Sequence, residues 1–207
     1  MVRIQNRFKN WLRDRQHASQ FYFEQIRPMF ENDFNGLRRS ETRRTDRLLL
    51  RPPAEKDRQF LTELFSRFEL VAHRPDPNPD SPGESAARLA RDISHWRDHG
   101  FGRWAVEVDG MLIGFGGVTV SKDFEGLNLS YHLHPESWGH GYATELVNAA
   151  LAFSFNDLQA IRVIGLVRTA NAASKRVLEK CGFGFERELM LHGATTNMYV
   201  LTRGTID

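Results

Sequence analysis

At 207 residues, with 41% apolar and 26% charged side chains and a formal net charge of +2, the chain can bury one sizeable core and carry an appendage. A single cysteine excludes an internal disulfide framework and a cysteine-rich metal site, and it fits a reducing, cytoplasmic setting. No run approaches the roughly 18 apolar residues of a membrane helix, and the opening residues lack the apolar stretch of a secretion signal.

Residues 1–44 read as a separate N-terminal arm, basic and rich in aromatic side chains. Phe8, Trp11, Leu12, Phe21, Tyr22, Phe23, Ile26, Met29 and Phe30 are spaced for one or two amphipathic helices, broken near Pro28. So large an apolar face is expected to pack on the body or on a second copy, as a homodimer contact, in preference to a membrane or nucleic acid. The arginines from 38 to 44 read as a solvated linker.

The remainder, residues 45–207, reads as one domain. Residues 47–51 form a strand closed by Pro52 and Pro53. Residues 54–68 predict a helix with Phe60, Leu61, Leu64, Phe65 and Phe68 on one face. A proline-rich polar loop follows over 74–83, then a helix over 85–96 that ends near Gly100. Residues 103–108 alternate as a strand, and Asp109-Gly110 is a two-residue hairpin signal. Residues 111–120 return, with Gly114, Gly116 and Gly117 marking close backbone approach or a bulge. The strand over 127–134 stops at Pro135, and a helix from Gly141 carries Leu146, Val147, Ala150, Leu151 and Phe153. A crossover then leads to a strand over 160–167, parallel to its predecessor. A helix from Asn171 to Gly182 and a hairpin over 183–201 complete an α/β (α+β) fold. Its mixed, twisted sheet is mostly antiparallel, has one parallel pair near the middle and is flanked by helices.

Gly139 and Gly141, one residue apart at a helix start, allow a tight bend that leaves consecutive amides unpaired. Those donors and the positive end of the helix dipole favour a phosphate. The frame has Thr144 where a dinucleotide fingerprint needs a third small residue, and it lacks the Gly-Lys-Ser/Thr of a Walker loop. On these glycines alone, a ligand site and a plain turn remain equally open.

The wider context resolves toward a ligand site. Trp138-x-x-Gly141-x-Ala143 resembles the pyrophosphate loop of the GNAT superfamily of acyl-CoA-dependent N-acyltransferases. Asn171-Ala-Ala-Ser174, followed by Leu178-Glu-Lys-Cys-Gly182-Phe183, resembles that superfamily's second diagnostic segment. The run from Trp138 to Glu145 is similar to the branch containing the ribosomal-protein N-terminal acetyltransferases, where Trp replaces the general Gln or Arg. The resemblance spans residues 45–202. It implies a sheet whose parallel pair splays to admit acetyl-CoA, with no metal, and an amine acceptor that is a protein N-terminus or a small molecule. Residue by residue, it implies backbone hydrogen bonds to the pantetheine arm near Leu133 and His134. It puts the pyrophosphate on Trp138, Gly139, His140, Gly141, Tyr142, Ala143 and Thr144, and gives Asn171 a pantetheine contact. Ser174 is then the hydrogen-bond donor to the departing sulfur.

Each assignment has a structural rival. Asn171 suits a helix N-cap with Ser174 at N3, and Trp138 suits sheet packing. His132 and His134 alternate away from Tyr131 and Leu133, and the sequence does not say which pair faces the cleft. Glu107, Glu186 and Glu188 are bases by type only, so the base stays unassigned. Cys181, beside a helix end and without a His–Asp partnership, reads as a small buried residue. A regulatory CoA-binding module without transfer activity is the competing function.

Overall fold

The computed structural model describes residues 42–205. The expected helices of the arm and its subunit contact lie outside that range, apart from the last residues of the linker. These form β1 (Arg43–Arg44), which pairs antiparallel with β2 (Leu48–Arg51), so the sheet starts earlier than the sequence suggested. Arg43 is no free linker cation: it is paired with Asp157 at 2.7 Å and lies over the Phe153 ring.

Alternation and turn chemistry build the first half of the sheet. β3 (Arg103–Val108) and β4 (Met111–Val120) are joined at Asp109-Gly110, both left-handed with φ of 50° and 80°, as a twisted hairpin turn requires. Val106 lies opposite Gly114 but Glu107 opposite Leu112, so Ile113 is an extra, bulged residue on β4. β5 (Leu127–Leu133) pairs antiparallel with β4, and β6 (Arg162–Arg168) pairs parallel with β5. β8 (Ala194–Thr202) pairs with β6, and β7 (Gly184–Leu191) with β8, closing an eight-stranded sheet ordered β1-β2-β3-β4-β5-β6-β8-β7. The expected mixed architecture with a single parallel pair is what the chain forms. β7 is an edge strand exposed on both faces, with Phe185 and Met190 58% and 69% accessible.

Helices cover both faces because β3 buries side chains in both directions. Trp104 and Val106 join one core with Leu146, Val147 and Ala150 of α4 (Tyr142–Ala152) and Leu178 of α5 (Ala172–Lys180). Ala105 and Phe115 join the other, under α1 (Arg58–Ser66), α2 (Phe68–Val71) and α3 (Pro82–His99). Phe68 departs from expectation. Arg67 is extended at ψ 122°, which ends α1 and turns Phe68 outward to 61% exposure. The helix α3 begins earlier than its apolar pattern implied, because Ser81 and Glu84 form a reciprocal capping box around Pro82.

Where α3 meets the sheet, His95 is held neutral. Its Nδ1 lies 2.7 Å from the Phe101 carbonyl, and its Nε2 accepts the Val120 amide at 3.0 Å, so the proton sits on Nδ1. Burial foremost, and the neighbouring His99, push its pKa down to about 4 from the usual 6.5. Between those values the unfolded chain binds a proton that the fold refuses, so stability falls as pH drops through that window. Denaturant midpoints measured from pH 7 to pH 4.5 are expected to decline, with a shallower decline in His95→Gln; equal slopes would remove His95 from the account.

Candidate active site

The parallel pair sets the geometry of the site. β5 and β6 are in register only over Leu127↔Val163, Asn128↔Ile164 and Leu129↔Gly165. Beyond that they diverge, and a cavity of about 620 Å³ opens with residues 129–132 on one wall and 165–168 on the other. The His134 amide donates to the Ile113 carbonyl at 2.8 Å, toward β4. Strand alternation therefore aims the backbone groups of Leu133 and Tyr131 the other way, into the gap. Of the two neighbouring amides expected to serve a ligand, Leu133 has the free direction and His134 is already bonded. The indole of Trp138 donates to the Leu133 carbonyl at 2.8 Å. Trp138 is thus a cap on the strand end and not core packing, 49% exposed.

Next to this cap the chain bends through Gly139 and Gly141, both left-handed with φ of 80° and 81°, a conformation that costs a β-carbon about 1–2 kcal/mol. A β-carbon at Gly139 would meet nothing within 4 Å, and one at Gly141 only the Arg47 side chain at 3.5 Å. The bend opens α4, and among the described residues no side chain bonds to the amides of 139–144. A free row of donors at the positive end of an eleven-residue helix can hold an anion. The bend is braced from the residue before β2: Arg47 bonds the His140 carbonyl at 2.9 Å and the Glu145 carboxylate at 2.7 Å, and its guanidinium lies over the Tyr142 ring. Thr45 and the Arg47 amide hold the same carboxylate, at 2.5 and 2.9 Å. No sequence motif announced this clamp, whose partners lie about a hundred residues apart.

A second cavity, of about 320 Å³, runs from the bend toward α5. Leu133, Trp138, Gly139, Gly141, Tyr142, Ala143, Thr144, Asn171 and Ser174 all line it. His134 and His140 do not line it: the first packs its ring near Phe60, and the second stacks on Tyr142. Asn171 is an N-cap, accepting the Ser174 amide on Oδ1 at 3.0 Å, which leaves its Nδ2 group to donate.

The two cavities share His73, Tyr131, His132, Asn171 and Ser174, so these groups stand where they meet. The Tyr131 hydroxyl is buried without a hydrogen-bond partner. Burial pushes this phenol up to about 12, an effect that the nearby Ser174 hydroxyl opposes without reaching good hydrogen-bond geometry. His132 lies against Phe65 and is pushed down to about 3 by burial first and then by Arg103, Arg88 and Arg74. His73 is lowered by burial, Arg74 and Arg168. Both imidazoles are neutral at pH 7. The carboxylates considered as bases stand elsewhere. Glu107 is paired with Arg51 and Glu186 with Arg162, and neither they nor Glu188 line either of these two cavities. Cys181 is half-buried against the core, its thiol pKa raised by burial, in keeping with a packing residue. Among the described residues no cluster of His, Cys, Asp and Glu suits a metal ion, and no helix is long and apolar enough to cross a membrane.

Comparison with known proteins identifies the family and the fold. The profile of the acetyltransferase (GNAT) domain matches residues 47–184. The chain belongs to the GNAT acetyltransferase family, and it is therefore an acyltransferase. An uncharacterized N-acetyltransferase of Bacillus subtilis (strain 168), YoaA, is 27% identical over 168 residues, which is 77% of this chain and 95% of the relative. A GNAT-family acetyltransferase structure from Bacillus anthracis superposes with a TM-score of 0.66 at 20% identity, covering 78% of this chain and 98% of that one. Mycobacterium smegmatis RimJ, solved in complex with CoA-disulfide, gives 0.66 at 20% identity, covering 77% and 83%. At such identity the two structures speak for the GNAT fold alone.

The sequence reading named Tyr131 only within one of two alternating pairs and gave it no role, and it missed His73, because a histidine in a loop carries no local signal. The unpartnered phenol gives a direct expectation. A buried hydroxyl without a partner costs about 1–3 kcal/mol, so Tyr131→Phe should raise the denaturation midpoint or leave it unchanged. A clear loss of stability would show that the hydroxyl is bonded after all.

Proposed function

We propose that this GNAT enzyme transfers an acetyl group from acetyl-CoA to a primary amine, with both substrates bound at once. The observation that carries this reading is the junction: two cavities, one leading from the glycine bend and one from the divergence of β5 and β6, meet at Tyr131, Asn171 and Ser174. The chain's residues fit a CoA molecule, since the left-handed bend leaves its amides open and the parted strands leave backbone donors without sheet partners.

In this reading acetyl-CoA supplies the activated thioester. The amides of 139–144 hold the diphosphate, the Leu133 amide and the Asn171 Nδ2 group orient the pantetheine arm, and Trp138 keeps the strand end from closing. His73, uncharged at the junction, is the imidazole there that can accept the proton shed by the ammonium, whereas His132, pushed down to about 3, is too weak a base to hold it. Ser174, aided by the neutral Tyr131 phenol, donates to the sulfur as it departs. A serine is a poor acid, so its contribution is electrostatic more than full proton transfer. The acceptor is a protein N-terminus or a small amine, and a cytoplasmic setting goes with this reading.

The test is thiol release from acetyl-CoA against a panel of amines and N-terminal peptides. Release that depends on the amine is expected. Tight CoA binding with no release for any acceptor would instead favour the regulatory module. Ser174→Ala should lower kcat by roughly tenfold or more while leaving CoA affinity nearly unchanged, the size expected for one donor at a developing charge; wild-type turnover would strip Ser174 of its role. Gly141→Trp should fold yet lose CoA binding in calorimetry, because a large side chain would cover the amides. Retained affinity would move the diphosphate elsewhere.

A further inference from the structure

Three arginines, Arg74, Arg88 and Arg168, and three carboxylates, Asp76, Asp80 and Glu84, line the larger cavity, but they are unevenly paired. Arg74 and Arg88 share a single buried partner, Asp80, each at 2.5 Å. Burial works to raise the Asp80 pKa, but the hydrogen bonds from Arg88 and Arg74 outweigh it, so the carboxylate stays ionised with two cations upon it. Arg168, at the end of β6, has no carboxylate within ion-pair reach among the described residues. Its Nη1 donates only to neutral oxygens: the Leu191 carbonyl at 2.6 Å, the Ala194 carbonyl at 2.9 Å and the Thr196 hydroxyl at 2.6 Å. Those bonds lock the guanidinium to the β7–β8 turn and leave Nε and Nη2 as donors.

Two further carboxylates, Asp76 and Glu84, also line the cavity, and neither forms an ion pair with Arg168. Both residues are exposed to water, and their oxygens are committed locally: Asp76 accepts the Asn78 amide, and Glu84 accepts the Ser81 amide and hydroxyl. His73 stands close enough to Arg74 and Arg168 that they add to burial in lowering its pKa. A half-buried guanidinium without a counter-ion is costly unless a ligand supplies one.

We propose that the acceptor side of this cleft takes a primary amine that also carries an anionic group, a carboxylate or a phosphate a few bonds from the nitrogen, and that Arg168 is its counter-charge. The inference rests on the acetyl-transfer reading above and deepens it. Arg168 occupies the wall that carries Asn171 and Ser174 onward into α5, so an anion held there leaves the amine within reach of the junction. The planar fork suits either anion, and the cavity of about 620 Å³ has room for a small bifunctional amine. A polyamine would bring further positive charge to a wall whose Arg168 has only neutral acceptors.

The test uses the full-length protein with acetyl-CoA and four matched amines: O-phosphoethanolamine, β-alanine, ethanolamine and spermidine. The expected kcat/KM is at least tenfold higher for the better of the two anionic amines than for ethanolamine or spermidine, and the difference between those two anionic amines tells phosphate from carboxylate. Equal or better use of ethanolamine or spermidine overturns the proposal while sustaining acetyl transfer. Arg168→Gln should shrink the ratio of anionic to neutral acceptor at least fivefold, and an unchanged ratio also overturns the proposal. Should that variant fail to fold, because the β7–β8 turn leans on Arg168, the wild-type comparison decides alone. Calorimetry of O-phosphoethanolamine and ethanolamine with the CoA-saturated protein separates the two readings. Binding of the phosphate amine without turnover of any amine overturns acetyl transfer and sustains the cavity assignment, and absence of both overturns both.

Discussion

Two parallel strands that pair for three residues and then part impose an unmet demand on the backbone. Inside a protein, amides and carbonyls must find partners, and a sheet that stops pairing part-way exposes a short ladder of them. The chain answers in part. Trp138 bonds the Leu133 carbonyl on the side of the gap, while the His134 amide is already taken by Ile113 on the side of β4. The rest of the ladder faces the gap, and a ligand with amide groups of its own is a natural complement. The glycine bend, the helix start and the two cavities all lie around that gap, so their usefulness depends on the strands staying apart.

What holds the gap open is packing on its flanks. Gly165 lies beneath Leu178, where an added β-carbon would come within 2.6 Å of the leucine, so α5 can settle low on β6 beside the opening. On the other side a β-carbon at Gly116 would meet Leu146 at 2.6 Å and the Tyr131 β-carbon at 2.7 Å, so α4 and the tyrosine are seated against bare backbone. Any collapse of the gap would have to break these close fits, and interiors packed at crystal-like density resist that.

Much of this was legible in the sequence because its signals are local. The Asp109-Gly110 turn, the stop at Pro135, the Gly139 and Gly141 bend and the Asn171 cap each lie within a few residues of what they control. The residues that escaped reading act over distance. Arg47 clamps Glu145, Arg168 locks the turn between β7 and β8, and Tyr131 meets Ser174 only after a crossover. Phe68 misled for a related reason. Its spacing fits the α1 face, but an extended Arg67 breaks the helix, and nothing in the apolar pattern records one changed dihedral.

The hairpin that fixes Arg168 also bounds the molecule. Its outer strand, β7, runs Glu186, Arg187 and Glu188 in succession along what is, among the described residues, an edge of the sheet. A foreign strand adding there would have to strip water from carboxylate, guanidinium and carboxylate in turn, and charged edges deter such growth. One hairpin thus anchors Arg168 at the cavity through its turn and, along its outer strand, discourages copies of the sheet from stacking edge to edge into insoluble ribbons.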